Sequence, residues 1–377
     1  MDPLRIAVIA PLTEAVPPKT YGGTERVVSL LTEELVRRGH QVTLFASGDS
    51  QTSAELVACC DQSLRLDPEV TDYVAHTVIE LDHVYRQAER FDVIHNHVDY
   101  FAFPVAHLCP TPTLTTTHGR LDLPEVRRVY RTFPTLPLAA ISQDQRDSLS
   151  GVNWLSVVHN GIDIDTFQFR PDPGDYLVFL GRISPEKRAD RAIELARDVG
   201  MRLVIAAKVD PVDQDYFDYA IAPLIEAHPS LVEFIGEVDQ QGKNELLGGA
   251  YAYLFPIDWP EPFGLTMAES LATGTPVVAF RAGSVSEVVE DGVTGFVCDT
   301  LHDMAEAIPR VRELDRKACR QRAERRFSPA TMTDGYELAY AALRSGVDRS
   351  SAAPVTNGVS PRTSVQRSSI ATHPGAK

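Results

Sequence analysis

Two doubly wound α/β domains facing a central cleft are predicted by three features of this sequence. Its 377 residues exceed one ordinary hydrophobic core. Short apolar strands alternate with helical patterns in both halves. One aperiodic stretch, FQFRPDPGD at 167–175, interrupts the alternation and reads as a linker.

The first half opens with the strand RIAVIAP (5–11). TERVVSLLTEELVRRGH (24–40) follows, with Val27, Val28, Leu31 and Leu35 at helical spacing and Gly39 closing the helix. Strands are expected at QVTLFAS (41–47), DVIH (92–95), PTLTTTH (112–118), LAAIS (138–142) and SVVHN (156–160). After the linker come YLVFLG (176–181), a helix over 185–199, RLVIAA (202–207), a helix near 215–227, VEFIG (232–236), AYLFP (252–256) and PVVAF (276–280). Such alternation implies parallel sheets covered on both faces, with ligands at the strand C-termini. The divisions expected are 1–170, 171–328, a C-terminal helix over 329–345 that packs back on the first domain, and a disordered tail over 346–377. The tail is rich in Ser, Thr, Pro and Arg and poor in large apolar residues.

A net charge of −16 argues against nucleic acid as a partner. Five cysteines, odd in number and without C-x-x-C spacing, suggest neither a disulfide framework nor a zinc site and fit a cytoplasmic compartment. No run of 18 apolar residues and no signal sequence is visible, so the expectation is a soluble protein, with peripheral contact at the inner membrane face left open.

Three stretches carry chemistry. In YGGT (21–24), Gly22 and Gly23 would let an anion approach backbone N–H groups at a helix start, although a plain turn explains them equally well. In GRISPEKR (181–188), Ser184 and Pro185 suit the N-cap and first helical positions, which would set Arg182, Lys187 and Arg188 at a helix start. Cations there oppose the helix dipole unless an anion joins them.

In EPFGLTMAE (261–269), Glu261 sits in a loop, Gly264, Leu265 and Thr266 begin a helix, and Glu269 lies about a turn inside it. The free amides can hold phosphate oxygens, and the carboxylates can accept hydrogen bonds from sugar and ribose hydroxyls. The pair could instead be the acid and nucleophile of a glycosidase. The nearby cations favour phosphate. His95, His97 and Asp99 in HNHVD invite a metal or base reading, yet the two histidines at i and i+2 point to one side of a strand with no obvious third ligand, and no metal is expected. Arg120, Arg127, Arg128 and Arg131 read best as a solvated helix face, with an anionic acceptor or membrane surface as the alternative.

Taken together, these stretches resemble the family 4 retaining glycosyltransferases, whose GT-B fold sets two Rossmann-like domains face to face. The resemblance spans about residues 4–345 and rests on YGGTE, THG (117–119), HNGID followed by Phe167, GRISPEK and EPFGLTMAESLATGTPVVAF. It implies that Arg182 and Lys187 grip the donor diphosphate, Glu261 orients the donor sugar and Glu269 binds the ribose. His118 would line the sugar and acceptor site. Gly22, Gly23, Phe263, Gly264, Leu265 and Thr266 would complete the donor site, and Glu14, His97 and Asp99 would lie on the acceptor side.

The expected activity is metal-independent, cofactor-free, retaining hexosyl transfer from a nucleoside diphosphate sugar to a hydroxyl acceptor such as a glycan, lipid-linked sugar or small molecule. UDP-glucose is favoured because it is common in the family, with GDP-mannose its rival. A sugar-nucleotide epimerase, a glycosyl phosphorylase and a non-catalytic nucleotide-sugar-binding scaffold remain as alternatives.

Overall fold

The computed structural model describes residues 2–19, 22–345 and the pair 355–356. It contains two all-parallel sheets. The first is built from β1 (Arg5–Ile9), β2 (Gln41–Ser47), β3 (Glu55–Cys60), β4 (Val93–Asn96), β5 (Thr113–Thr117), β6 (Pro137–Ala140) and β7 (Asn153–Val157). The second holds β8 (Leu177–Ile183), β9 (Leu203–Val209), β10 (Val232–Gly236), β11 (Ala252–Phe255), β12 (Val277–Phe280) and β13 (Gly295–Cys298). A two-residue β14 (Val355–Thr356) pairs with β7. Apart from that pair, the tail expected to be disordered lies outside the described residues.

Alternation along each strand sends side chains into two cores. Ile6 and Val8 of β1 pack with Val28, Leu31 and Leu35 of the helix Gly23–Arg37, while Ala7 and Ile9 pack with Phe45, Leu81 and Val84 on the opposite face. In the second sheet Leu177 and Phe179 face one core and Val178 the other. The last long helix, Pro329–Ser345, places Met332, Tyr336, Ala339, Tyr340 and Leu343 in the first sheet's core, although it follows the second domain in sequence.

Strand order positions the cleft. In the first sheet the order β3-β2-β1-β4-β5-β6-β7 reverses direction at β1 and β4, and in the second β10-β9-β8-β11-β12-β13 reverses at β8 and β11. Crevices open beyond the strand C-termini at such reversals, because neighbouring connections leave to opposite faces. The loops after β4 and β5 carry His97, Asp99 and His118, and those after β8 and β11 carry Lys187 and Glu261.

Besides β14, which falls in the tail expected to be disordered, two strands escape the sequence reading. β3 is a half-exposed edge with no clean alternation, and β13 is only four residues long. The helix expected over 185–199 begins at Ala189 instead. The amides of Lys187 and Arg188 both turn back to the Ser184 carbonyl, and Arg188 takes φ 58. Its guanidinium, bonded to Asp190 at 2.7 Å and Asp258 at 2.9 Å, holds that left-handed turn. Ser184 is therefore not the cap, and Lys187 stands in a separate turn ahead of the helix.

Candidate functional site

The loop from Trp259 to Gly264 is pinned from behind. Ser284 donates its amide to the Glu261 carbonyl at 2.9 Å and its hydroxyl to the Phe263 carbonyl at 2.7 Å. Phe263, expected to touch the donor, instead turns its ring into the core against His159 and Phe327, with centroids 5.8 and 5.6 Å away. It supports the loop rather than lining it. Gly264 caps the helix Leu265–Thr273 at φ 75, a conformation that costs a side-chain-bearing residue about 1–2 kcal/mol. That turn leaves the first amides of the helix without intrahelical acceptors.

Glu261 and Glu269 flank this helix start and each meets a lysine. Glu261, 9% exposed, pairs with Lys187, whose ammonium also stands 5.2 Å from the Trp259 ring and 5.4 Å from that of Phe255. Glu269 pairs with Lys243 at 2.5 Å; its side chain is 4% exposed and that of Lys243 14%. Burial lowers the Lys243 pKa, and Glu269 opposes that shift. Arg182, at the end of β8, lies 3.5 Å from Asp213 and 3.7 Å from Asp210, and Asp210 also holds Lys208 at 2.6 Å.

Across the cleft, Gly23 abuts Leu265: a methyl on Gly23 would come within 3.2 Å of the leucine side chain. Gly22, Gly23 and Arg26 line one wall of a cavity whose other wall contains Lys243, Leu265, Thr266 and Glu269. Glu25, in the first turn of the same helix, is buried, and burial pushes its carboxyl up to about 7. Glu14 is buried and paired with Arg65, with burial raising its pKa, so it braces this loop from below rather than facing an acceptor.

His118 follows β5 and is half-buried. Its Nε2 lies 2.9 Å from Nδ1 of His97, and its amide donates to Asp99 at 3.1 Å. Burial pulls the His118 pKa down to about 4, keeping the imidazole neutral near pH 7, and pushes Asp99 up to about 6. His97 is buried; its ring lies tilted against His95, centroids 4.0 Å apart, and stacks on His118 at 5.2 Å. It reaches the cleft through His118, not directly. Both His95 nitrogens are engaged at 2.7 Å, by Tyr340 and Thr116. Among the described residues no group of three His, Cys, Asp or Glu is arranged to hold a metal.

Of the basic stretch, Arg128 and Arg131 are exposed, whereas Arg127 bonds the carbonyls of Leu121 and Ser148. Arg120 turns into the cleft, pairing with Asp122 at 2.6 Å and reaching Glu186 of the second domain at 3.5 Å.

Two facing parallel α/β domains, with cations, paired carboxylates and a helix N-terminus converging between them, define a GT-B glycosyltransferase. Residues 163–326 match the model "Glycosyl transferases group 1" and residues 21–166 match "Glycosyltransferase Family 4". The chain belongs to the family 4 glycosyltransferases.

It is 25% identical over 327 residues to a phosphatidyl-myo-inositol mannosyltransferase of Mycobacterium leprae, covering 78% of this chain and 82% of that protein. It is 28% identical over 365 residues to a glycogen synthase of Mycobacterium tuberculosis, covering 82% and 86%. AviGT4, a glycosyltransferase involved in avilamycin A biosynthesis, superposes with a TM-score of 0.68 at 27% identity over 92% of this chain and 99% of its own. Anabaena HepE, solved with UDP and glucose, shares the fold with a TM-score of 0.70 at 18% identity, over 90% and 100%.

Lys243 and Lys208 line the cavity and Trp259 meets Glu261, and sequence reasoning missed all three. Lys243 lies in QQGKNELLG, an ordinary polar helix, and only its contact with Glu269 singles it out. A lysine at the end of an apolar strand, as in LVIAAKV, was the one local signal available for Lys208.

Proposed function

We propose that this glycosyltransferase moves a hexosyl group, glucose from UDP-glucose in the first instance, to a hydroxyl acceptor with retention at the anomeric carbon and without a metal. One observation carries the reading: two carboxylates eight residues apart flank a helix N-terminus, and each is matched to its own lysine. Glu261 suits the sugar hydroxyls, Glu269 the ribose diol, and the amides between them the diphosphate.

As the bond from the anomeric carbon to the phosphate oxygen breaks, its electron pair leaves with the diphosphate. Arg182, Lys187 and the helix amides stabilise the growing charge. The acceptor oxygen bonds to the anomeric carbon on the face the diphosphate vacates, and its proton passes to the departing phosphate oxygen. Neutral His118 lines the sugar side. UDP is preferred because HepE was solved with it; glucose and a cytoplasmic site of action follow from the family resemblance and the cysteine pattern.

The test is turnover of UDP-, GDP- and ADP-sugars by the purified protein, with product analysis for anomeric configuration. Arg182→Ala and Glu261→Ala should each lower kcat/KM by about a hundredfold or more. Wild-type activity in both variants refutes the assignment.

A further inference from the structure

Glu261 is held on one side only. Its Oε2 accepts from the Lys187 ammonium and, at 3.0 Å, from the indole N–H of Trp259. Oε1 takes no hydrogen bond among the described residues. The backbone beneath is fixed, because the Glu261 carbonyl is tied to Ser284 and a side chain on Gly283 would overlap the Glu261 main chain. The indole is fixed as well: Arg120, from the opposite domain, stands 5.3 Å from the ring, and Lys187 is 5.2 Å from it.

A bound diphosphate competes for Lys187. The ammonium is a point charge on a flexible stem, and two phosphates offer more negative charge than one carboxylate. The indole has a single donor and no freedom to follow. Once Lys187 turns to phosphate, the Trp259 N–H is the one hydrogen bond left to Glu261 Oε2 among the described residues.

We propose that Trp259 is a positioning residue for the donor sugar: its indole N–H keeps Glu261 Oε2 in place when Lys187 moves to the diphosphate, and so keeps Oε1 turned to the sugar hydroxyls. This rests on the role proposed above for Glu261. Neighbouring Asp258 and Pro260 carry no such donor to that oxygen, and a hydrogen bond to a charged group is worth enough to fix its orientation.

The experiment is calorimetric titration of UDP and of UDP-glucose into the wild type, Trp259→Phe, Glu261→Ala and the double variant. UDP affinity, which also reports folding, should stay within about twofold in Trp259→Phe, while the added affinity from glucose falls about tenfold, the size of one charge-assisted hydrogen bond. In the Glu261→Ala background, which has no acceptor for the indole, Trp259→Phe should have little further effect, because its influence runs through that side chain. Equal weakening of UDP and UDP-glucose, or an undiminished Trp259→Phe effect in that background, overturns the proposal. A wild type that binds UDP but gains nothing from glucose overturns it together with the role of Glu261, and a wild type that binds no nucleotide overturns the functional reading first.

Discussion

Replacing Lys243 by Met removes one partner of a pair that is almost dry. With the Glu269 side chain 4% exposed and Lys243 14%, the solvent screening that makes surface ion pairs nearly worthless is absent. Deleting one charge strands the other, at a cost of about 3–5 kcal/mol. Arg26 lies close enough for its charge to act on Lys243 and can compensate in part, which favours the lower end, ~3 kcal/mol.

For a domain of this size each kcal/mol moves the melting point by about 2–4 °C, so Lys243→Met should melt roughly 6–12 °C lower. Adding Glu269→Gln removes the stranded charge and should recover part of the loss. The assays are differential scanning calorimetry and titration with UDP and 2′,3′-dideoxy-UDP. Preference for the ribose diol should shrink in Lys243→Met, because the Glu269 carboxylate then loses the ion pair that orients it. A melting point within 1 °C of wild type, or an unchanged ribose preference, refutes the reasoning.

Acid should destabilise the first domain through its buried histidines. Burial lowers the His95 pKa to about 3, so the folded chain excludes a proton that the unfolded chain accepts below about 6.5. The stability is fully present above 6.5 and is lost as pH falls towards 3, by about 2 kcal/mol per histidine between pH 7 and 5. His95→Gln should flatten that slope in urea denaturation, and an unchanged slope contradicts the assignment. Gly283→Ala should lower donor turnover by at least about tenfold, because the new methyl overlaps the Glu261 main chain and shifts the carboxylate. Gly292→Ala, at φ 73 with open space around it, is the control: about 1 kcal/mol of backbone strain and unaltered turnover. Equal kinetics for the two variants would falsify the argument from Gly283.

The legible parts of this molecule are those whose physics is local. Period-3.6 and short apolar runs mark the helix Gly23–Arg37 and most strands, because each buries its face whatever the partner. Pro262 and Gly264 announce the loop and helix start in EPFGLTMAE for the same reason. GRISPEKR misleads because good capping chemistry at Ser184 is overridden by distant Asp258, which draws Arg188 into a left-handed turn. The edge strand β3, only half covered, lacks the alternation that would betray it.

By itself the sequence determined the two-domain alternation and the loop, cap and carboxylates of the proposed donor site, all of which depend on neighbours within a turn or two. The partners of those carboxylates were decided only in three dimensions. Lys187 and Glu261 are 74 residues apart, Lys243 and Glu269 26, and Arg120 meets Trp259 across the cleft from another domain. Charge pairing acts through space at a few ångströms, so no spacing along the chain encodes it.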